Sequence, residues 1–188
     1  VPADCTIVGP DELYVILGYH VKPADDSSRS GGVCFFAAIA SSDDGSASYA
    51  IVDKDRLAQR RAYYELLARR CAAANAANAA NATNASDAPN LVVCKSVTGL
   101  AQVKDIDAYY AARTDFPNSE PVKGLGDAAV AAGEALYVKR ADIVFEFAVK
   151  HGNALDVGRT VALAKLVLAR VPAVAPEPSS SPRRPKVP

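Results

Sequence analysis

The chain has no methionine, and it opens on Val1, Pro2, Ala3 and Asp4. That predicts removal of a leader, such as a signal peptide or a tag, before Val1. It also lacks net charge, since 21 basic residues offset 21 acidic ones. No global basic field is therefore expected to attract nucleic acid, and no acidic excess to attract basic partners. There is no apolar run of about 20 residues, the length a membrane-spanning helix needs. Histidine is scarce: His20 and His151 stand in different halves, too few for a three-ligand metal site without carboxylates that the pattern does not place. A G-x-S-x-G elbow, a P-loop and a haem-attachment spacing are all missing. No cofactor, metal or catalytic residue is expected on these grounds.

What the chain does contain is four cysteines, Cys5, Cys34, Cys71 and Cys94, none in a C-x-x-C pair. The spacing argues against zinc and against thioredoxin-like redox chemistry. Two structural disulfides are the expectation. Of three connectivities, Cys5 with Cys34 and Cys71 with Cys94 is preferred, because each pair joins neighbouring elements and closes one loop. Disulfides persist in oxidising compartments, so the periplasm, the cell surface or the medium is the expected location.

At 188 residues the length suits one domain with decorations. The boundaries expected are one domain over 1–175, with a low-complexity Ala/Asn loop at 72–90, and a Pro-rich basic tail at 176–188. Pro10, Asp11 and Glu12 open a short first helix that Gly18 stops. Val33 to Ala40 and Ala47 to Asp53 read as a hairpin across Asp43-Asp44-Gly45-Ser46. Asp53 to Cys71 is rich in helix formers, with Tyr63, Leu67 and Cys71 on one face and Arg61, Glu65 and Arg69 on another. Leu91 to Thr98 reads as a strand and Ile106 to Arg113 as a short helix. The clearest β signal is the alternation of Ile143, Phe145, Phe147 and Val149 with Val144, Glu146, Ala148 and Lys150, paired with Ala135 to Lys139. Val157, Val161, Ala164, Leu168 and Val171 make the stripe of a last helix, with Asn153 placed as its cap and Asp156 as the acidic follower. The order helix, hairpin, helix, then helix, strands, helix predicts an α+β fold: an antiparallel sheet with helices packed on one face.

Local motifs weigh toward structure rather than chemistry. Gly124-Leu125-Gly126-Asp127 reads as a tight turn, because a lone G-x-G lacks the rest of a nucleotide-binding fingerprint. Asp25-Asp26 and Asp43-Asp44 lack the ligand spacing of a calcium loop. Asn81 and Asn84 open glycosylation acceptor triplets, which matter only in a eukaryotic source. On the last helix Leu163 and Leu166 lie beside Arg159 and Arg170, off the main stripe. Together with Pro182, Arg183, Arg184, Pro185 and Lys186 of the tail they are the expected partner-binding residues.

Two passages carry a resemblance. Cys5 to Leu13, with Ile16-Leu17-Gly18 and Gly32-Val33-Cys34, resembles the start of exported actinobacterial lipoproteins and extracellular sensor-like domains. Val122 to Ala129, Leu136 to Lys139 and the closing helix resemble their second half. The resemblance implies an extracytoplasmic α+β domain with a cysteine pair near its N-terminus and a binding or sensing role, and it supplies no catalytic residues. Cys5 stands behind four residues, whereas a lipidated cysteine comes first, so no lipid anchor is expected. The leading functional expectation is a non-catalytic accessory subunit docking on a larger assembly through its tail. The alternative is a sensor-like domain holding a small apolar or envelope-derived ligand, and a hydrolytic enzyme is third. A pocket of about 300 Å³ or more favours the second of these.

Overall fold

The computed structural model describes residues 5–23, 32–40, 44–81 and 97–172. Helix α1 (Pro10–Leu17) begins as its sequence dictates, with Pro at its start and the Glu12 carboxylate accepting the Gly9 N–H at 3.0 Å. Gly18 ends it with φ at 79°, a left-handed conformation that only glycine adopts without strain. Helix α2 (Lys54–Asn81) follows the first three strands, α3 (Ile106–Thr114) precedes the next group, and α4 (Val157–Arg170) closes the described chain.

The strands are β1 (Val21–Pro23), β2 (Val33–Ala38), β3 (Gly45–Val52), β4 (Glu120–Pro121), β5 (Ala128–Ala132), β6 (Ala135–Arg140), β7 (Ile143–His151) and β8 (Ala154–Leu155). They form one antiparallel sheet in the order β1-β2-β3-β7-β6-β5-β4, with β8 on β7. The last long strand of each half meets at the centre, where Tyr49 lies opposite Phe147 and Ile51 opposite Phe145. Both outermost strands, β1 and β4, are short and contain a proline, Pro23 and Pro121.

The α+β class and the antiparallel sheet are as expected, but the helices lie on both faces. Ile143, Phe145, Phe147 and Val149 of β7 pack with Leu13 and Leu17 of α1 and with Leu163, Ala164 and Val167 of α4. Val144, on the opposite face, packs with Leu57 of α2 and with Ile106 and Tyr109 of α3. The reason is visible in the strand itself: Val52 and Val144 are buried as completely as Phe145. A central strand covered on both sides does not alternate cleanly.

Other elements also depart from expectation. Helix α2 continues past Ala72 to Asn81, into the segment expected to be loop, because alanine sustains a helix wherever the backbone can propagate. Residues 97–101 form a helical turn, so Thr98 is not in a strand, and residues 91–96 lie outside the described residues. The buried stripe of α4 is Thr160, Leu163, Ala164 and Val167, displaced from the expected one, and Val157 is exposed. Asp156 rather than Asn153 caps it, accepting from Arg159 N at 2.9 Å. The Thr160 hydroxyl donates to Asp156 O at 2.6 Å and accepts from Val149 N at 3.0 Å, fastening the helix to β7.

Of the two expected disulfides one is described: Cys5–Cys34, with Cα atoms 5.2 Å apart, which ties the segment before α1 to β2. Cys71 is also disulfide-bonded, and its expected partner Cys94 lies outside the described residues. The turn reading of Gly124 and Gly126 holds, with φ at 79° and 55° and Asp127 N donating to Lys139 O at 2.8 Å. A Cβ on Gly126 would stand 2.4 Å from the Lys139 carbonyl oxygen, so this glycine is required by close approach as well as by conformation.

Candidate functional site

The face of the sheet shared with α2 and α3 is not fully covered. In α2, positions 56, 59, 60, 63 and 64 recur at the spacing of a single helical face. These residues, Arg56, Gln59, Arg60, Tyr63 and Tyr64, wall a hollow of about 620 Å³ whose other sides are Val33, Arg113 and Glu146. A second hollow of about 280 Å³ adjoins it through the shared Val33, Arg113 and Glu146. Its floor is Ser46, Ser48 and Ala50 of β3 and Ala148 of β7, where small side chains leave the sheet low. The two make one groove across the strands.

An ion cluster sits at the junction. Glu146 projects from β7 on the side opposite Phe145 and accepts from Arg60 Nη1 at 2.8 Å and from the Tyr109 hydroxyl at 2.6 Å. Arg60 also donates to the Tyr109 oxygen, closing a triangle. Arg113 Nε stands 3.6 Å from Glu146, an ion pair without a hydrogen bond, and its guanidinium lies 5.1 Å over the Tyr137 ring. Side-chain exposure is 10% for Arg60, 13% for Glu146 and 25% for Arg113, so the cluster is largely removed from water. Charges at this depth persist only when paired and hydrogen-bonded.

The arrangement presents guanidinium groups and phenols to the hollow. Burial, with Glu146 adding to it, pushes the Tyr109 hydroxyl well above its ordinary range, and burial pushes Tyr137 up to about 12. Arg60 and Arg113 are held cationic against the cost of burial, Glu146 being the first of the groups that favour their charge. His20 stacks on Tyr14 at 4.4 Å and His151 is exposed at the end of β7; neither lines the groove. Among the described residues no group of three His, Cys, Asp or Glu side chains is arranged to hold a metal.

The residues expected to bind a partner do not converge here. Leu163 is fully buried between α4 and the sheet, a correction to its expected role, because no partner reaches it without unfolding the helix. Leu166 is partly buried against the same core. Pro182, Arg183, Arg184, Pro185 and Lys186 lie outside the described residues, as does Asn84, while Asn81 is the last residue of α2. Sequence reading missed every wall of the groove. The signal was present as the helical recurrence from Arg56 to Tyr64, overlooked beside the apolar spacing of Tyr63, Leu67 and Cys71. Among the described helices none is long and apolar enough to cross a membrane. Comparison with known proteins finds no matching family model, no matching curated protein and no matching solved structure.

Proposed function

We propose that this chain is a non-catalytic extracytoplasmic domain that binds a small ligand in the groove between α2, α3 and the sheet, a sensor-like rather than a hydrolytic role. The observation that carries it is the hollow of about 620 Å³, within the size range of small-molecule sites and set beside a pre-organised polar cluster. The lining favours an envelope-derived polar compound over a purely apolar one, since among the described residues Val33 is its single aliphatic member. An oxidising compartment is supported by the Cys5–Cys34 bridge. Under the same reading Cys71 pairs with Cys94, and peptide mapping without reduction should recover that linkage.

Native mass spectrometry of protein recovered without denaturation tests the proposal. The expected result is a bound small molecule whose occupancy collapses in Gln59→Trp, which fills the hollow from an exposed helix position. A folded Gln59→Trp variant that retains the same adduct, or wild-type protein that carries none and binds none from an extract of its own envelope, would refute the reading.

A further inference from the structure

The groove's charges do not balance. Among the described residues three guanidinium groups, Arg56, Arg60 and Arg113, face one carboxylate, Glu146. That carboxylate already accepts from Arg60 and Tyr109, leaving Arg113 Nε buried without a hydrogen-bond acceptor. Arg56 gives Nη1 to the Ile51 carbonyl at 2.8 Å, while its Nη2 is buried with no acceptor, and among the described residues no carboxylate pairs with it. In the adjoining hollow Lys150 is matched by Glu134, so the excess positive charge belongs to the larger one. Two exposed or half-exposed phenol rings, Tyr63 and Tyr64, stand beside these cations with centroids 5.8 Å apart. Guanidinium and phenol faces both favour flat partners, and guanidinium edges favour oxyanions.

We propose that the groove receives an oxyanion, a carboxylate or phosphate borne on a planar ring, with Arg56 and Arg113 taking the oxygens and Tyr63 and Tyr64 flanking the ring. The proposal deepens the ligand-binding reading and rests on it. Glu146 is a positioning residue: it orients Arg60 and holds Arg113 short of full engagement, so that Arg113 has a donor to offer. A purely cationic wall would be less selective, because it would attract any anion without fixing its direction.

Titration of the whole chain with phenyl phosphate, benzoate, benzyl alcohol, benzylamine and inorganic phosphate, followed by amide chemical shifts, tests this. At least one ring-borne acid should bind about tenfold or more tighter than benzyl alcohol, with benzylamine weaker still. Raising salt should weaken the acids and leave the alcohol unchanged. Arg56→Gln and Arg113→Gln should each cost the acids about tenfold. Among the described residues Arg56 has no hydrogen bond or ion pair to Glu146 or Tyr109, so its variant serves even if Arg113→Gln folds poorly. Equal binding of alcohol and acids, or acid affinity untouched in Arg56→Gln, overturns the oxyanion while leaving a ligand groove. Inorganic phosphate binding as tightly as phenyl phosphate overturns the ring. No binding by any ring compound, charged or neutral, overturns this inference, and the groove reading falls with it only if the native protein also carries no adduct.

Discussion

Replacing Glu146 with leucine should be among the most damaging single changes in the protein, although the residue is a charged side chain on a strand. The substitution removes the acceptor of two short hydrogen bonds and the counter-charge of two arginines. Arg113, at 25% exposure, can turn partly toward water, but Arg60 at 10% cannot, so the penalty concentrates on Arg60. Breaking one side of a buried pair costs about 3–5 kcal/mol. That is a large share of the ~5–15 kcal/mol that holds a domain folded, and at this chain length it lowers Tm by about 6–20 °C. Urea unfolding followed by circular dichroism measures it directly. Glu146→Gln should lose less, because the amide oxygen still accepts one hydrogen bond. The companion Arg60→Met/Glu146→Leu should recover much of the loss, since a buried pair replaced by apolar side chains of similar volume is often neutral. The double-mutant cycle should therefore give a coupling of about 2 kcal/mol. A Glu146→Leu variant within about 0.5 kcal/mol of wild type, the scatter of an ordinary surface change, would mean that the cluster is not closed as described.

Phe147→Ala should destabilise by about 3–5 kcal/mol in the same assay, because the ring is buried at the centre of the sheet between β3 and β6. Gly126→Ala should cost about 2 kcal/mol or more and Gly124→Ala about 1 kcal/mol, since only the former meets the Lys139 carbonyl; equal losses would contradict that geometry. The hydrogen bonds of Arg170, then the Gly9 N–H, hold Glu12 at about 2, below its ordinary value of 4.5. A depressed carboxylate stabilises fully above its unfolded value and loses that contribution as pH falls through the folded one. The stability difference between wild type and Glu12→Gln should thus shrink as pH falls from about 5 to 2, and a pH-independent difference would refute the ion pair.

Strands and helices announced themselves where one residue pattern had one cause. The Phe145 alternation, the Pro10 start and the Gly18 stop are set locally, and the chain adopts them as read. Elements whose identity depends on distant neighbours were illegible: β5 is nearly all alanine, and β1 and β4 are two or three residues held by their partners. The second helical layer was hidden because Val144 stands in the alternate set with Glu146, Ala148 and Lys150, whose polar members conceal a second buried face. Leu163 was misplaced for the converse reason, since a helix stripe shifted by one position changes which residues face the core. The groove was the least legible part. Arg60, Tyr109, Arg113 and Glu146 come from three elements far apart in sequence, and nothing in the order of residues says that they meet.

The prolines on the outermost strands bear on how this molecule can assemble. Strand addition needs a run of free backbone donors along a sheet margin, and each of these margins is short and has surrendered one donor to an imide nitrogen. Growth of the sheet into a fibre, or recruitment of a guest peptide as a further strand, finds little to hold on either side. Among the described residues, contacts through helical surfaces or the groove are therefore favoured over strand addition, and there side-chain identity rather than backbone pairing chooses the neighbour.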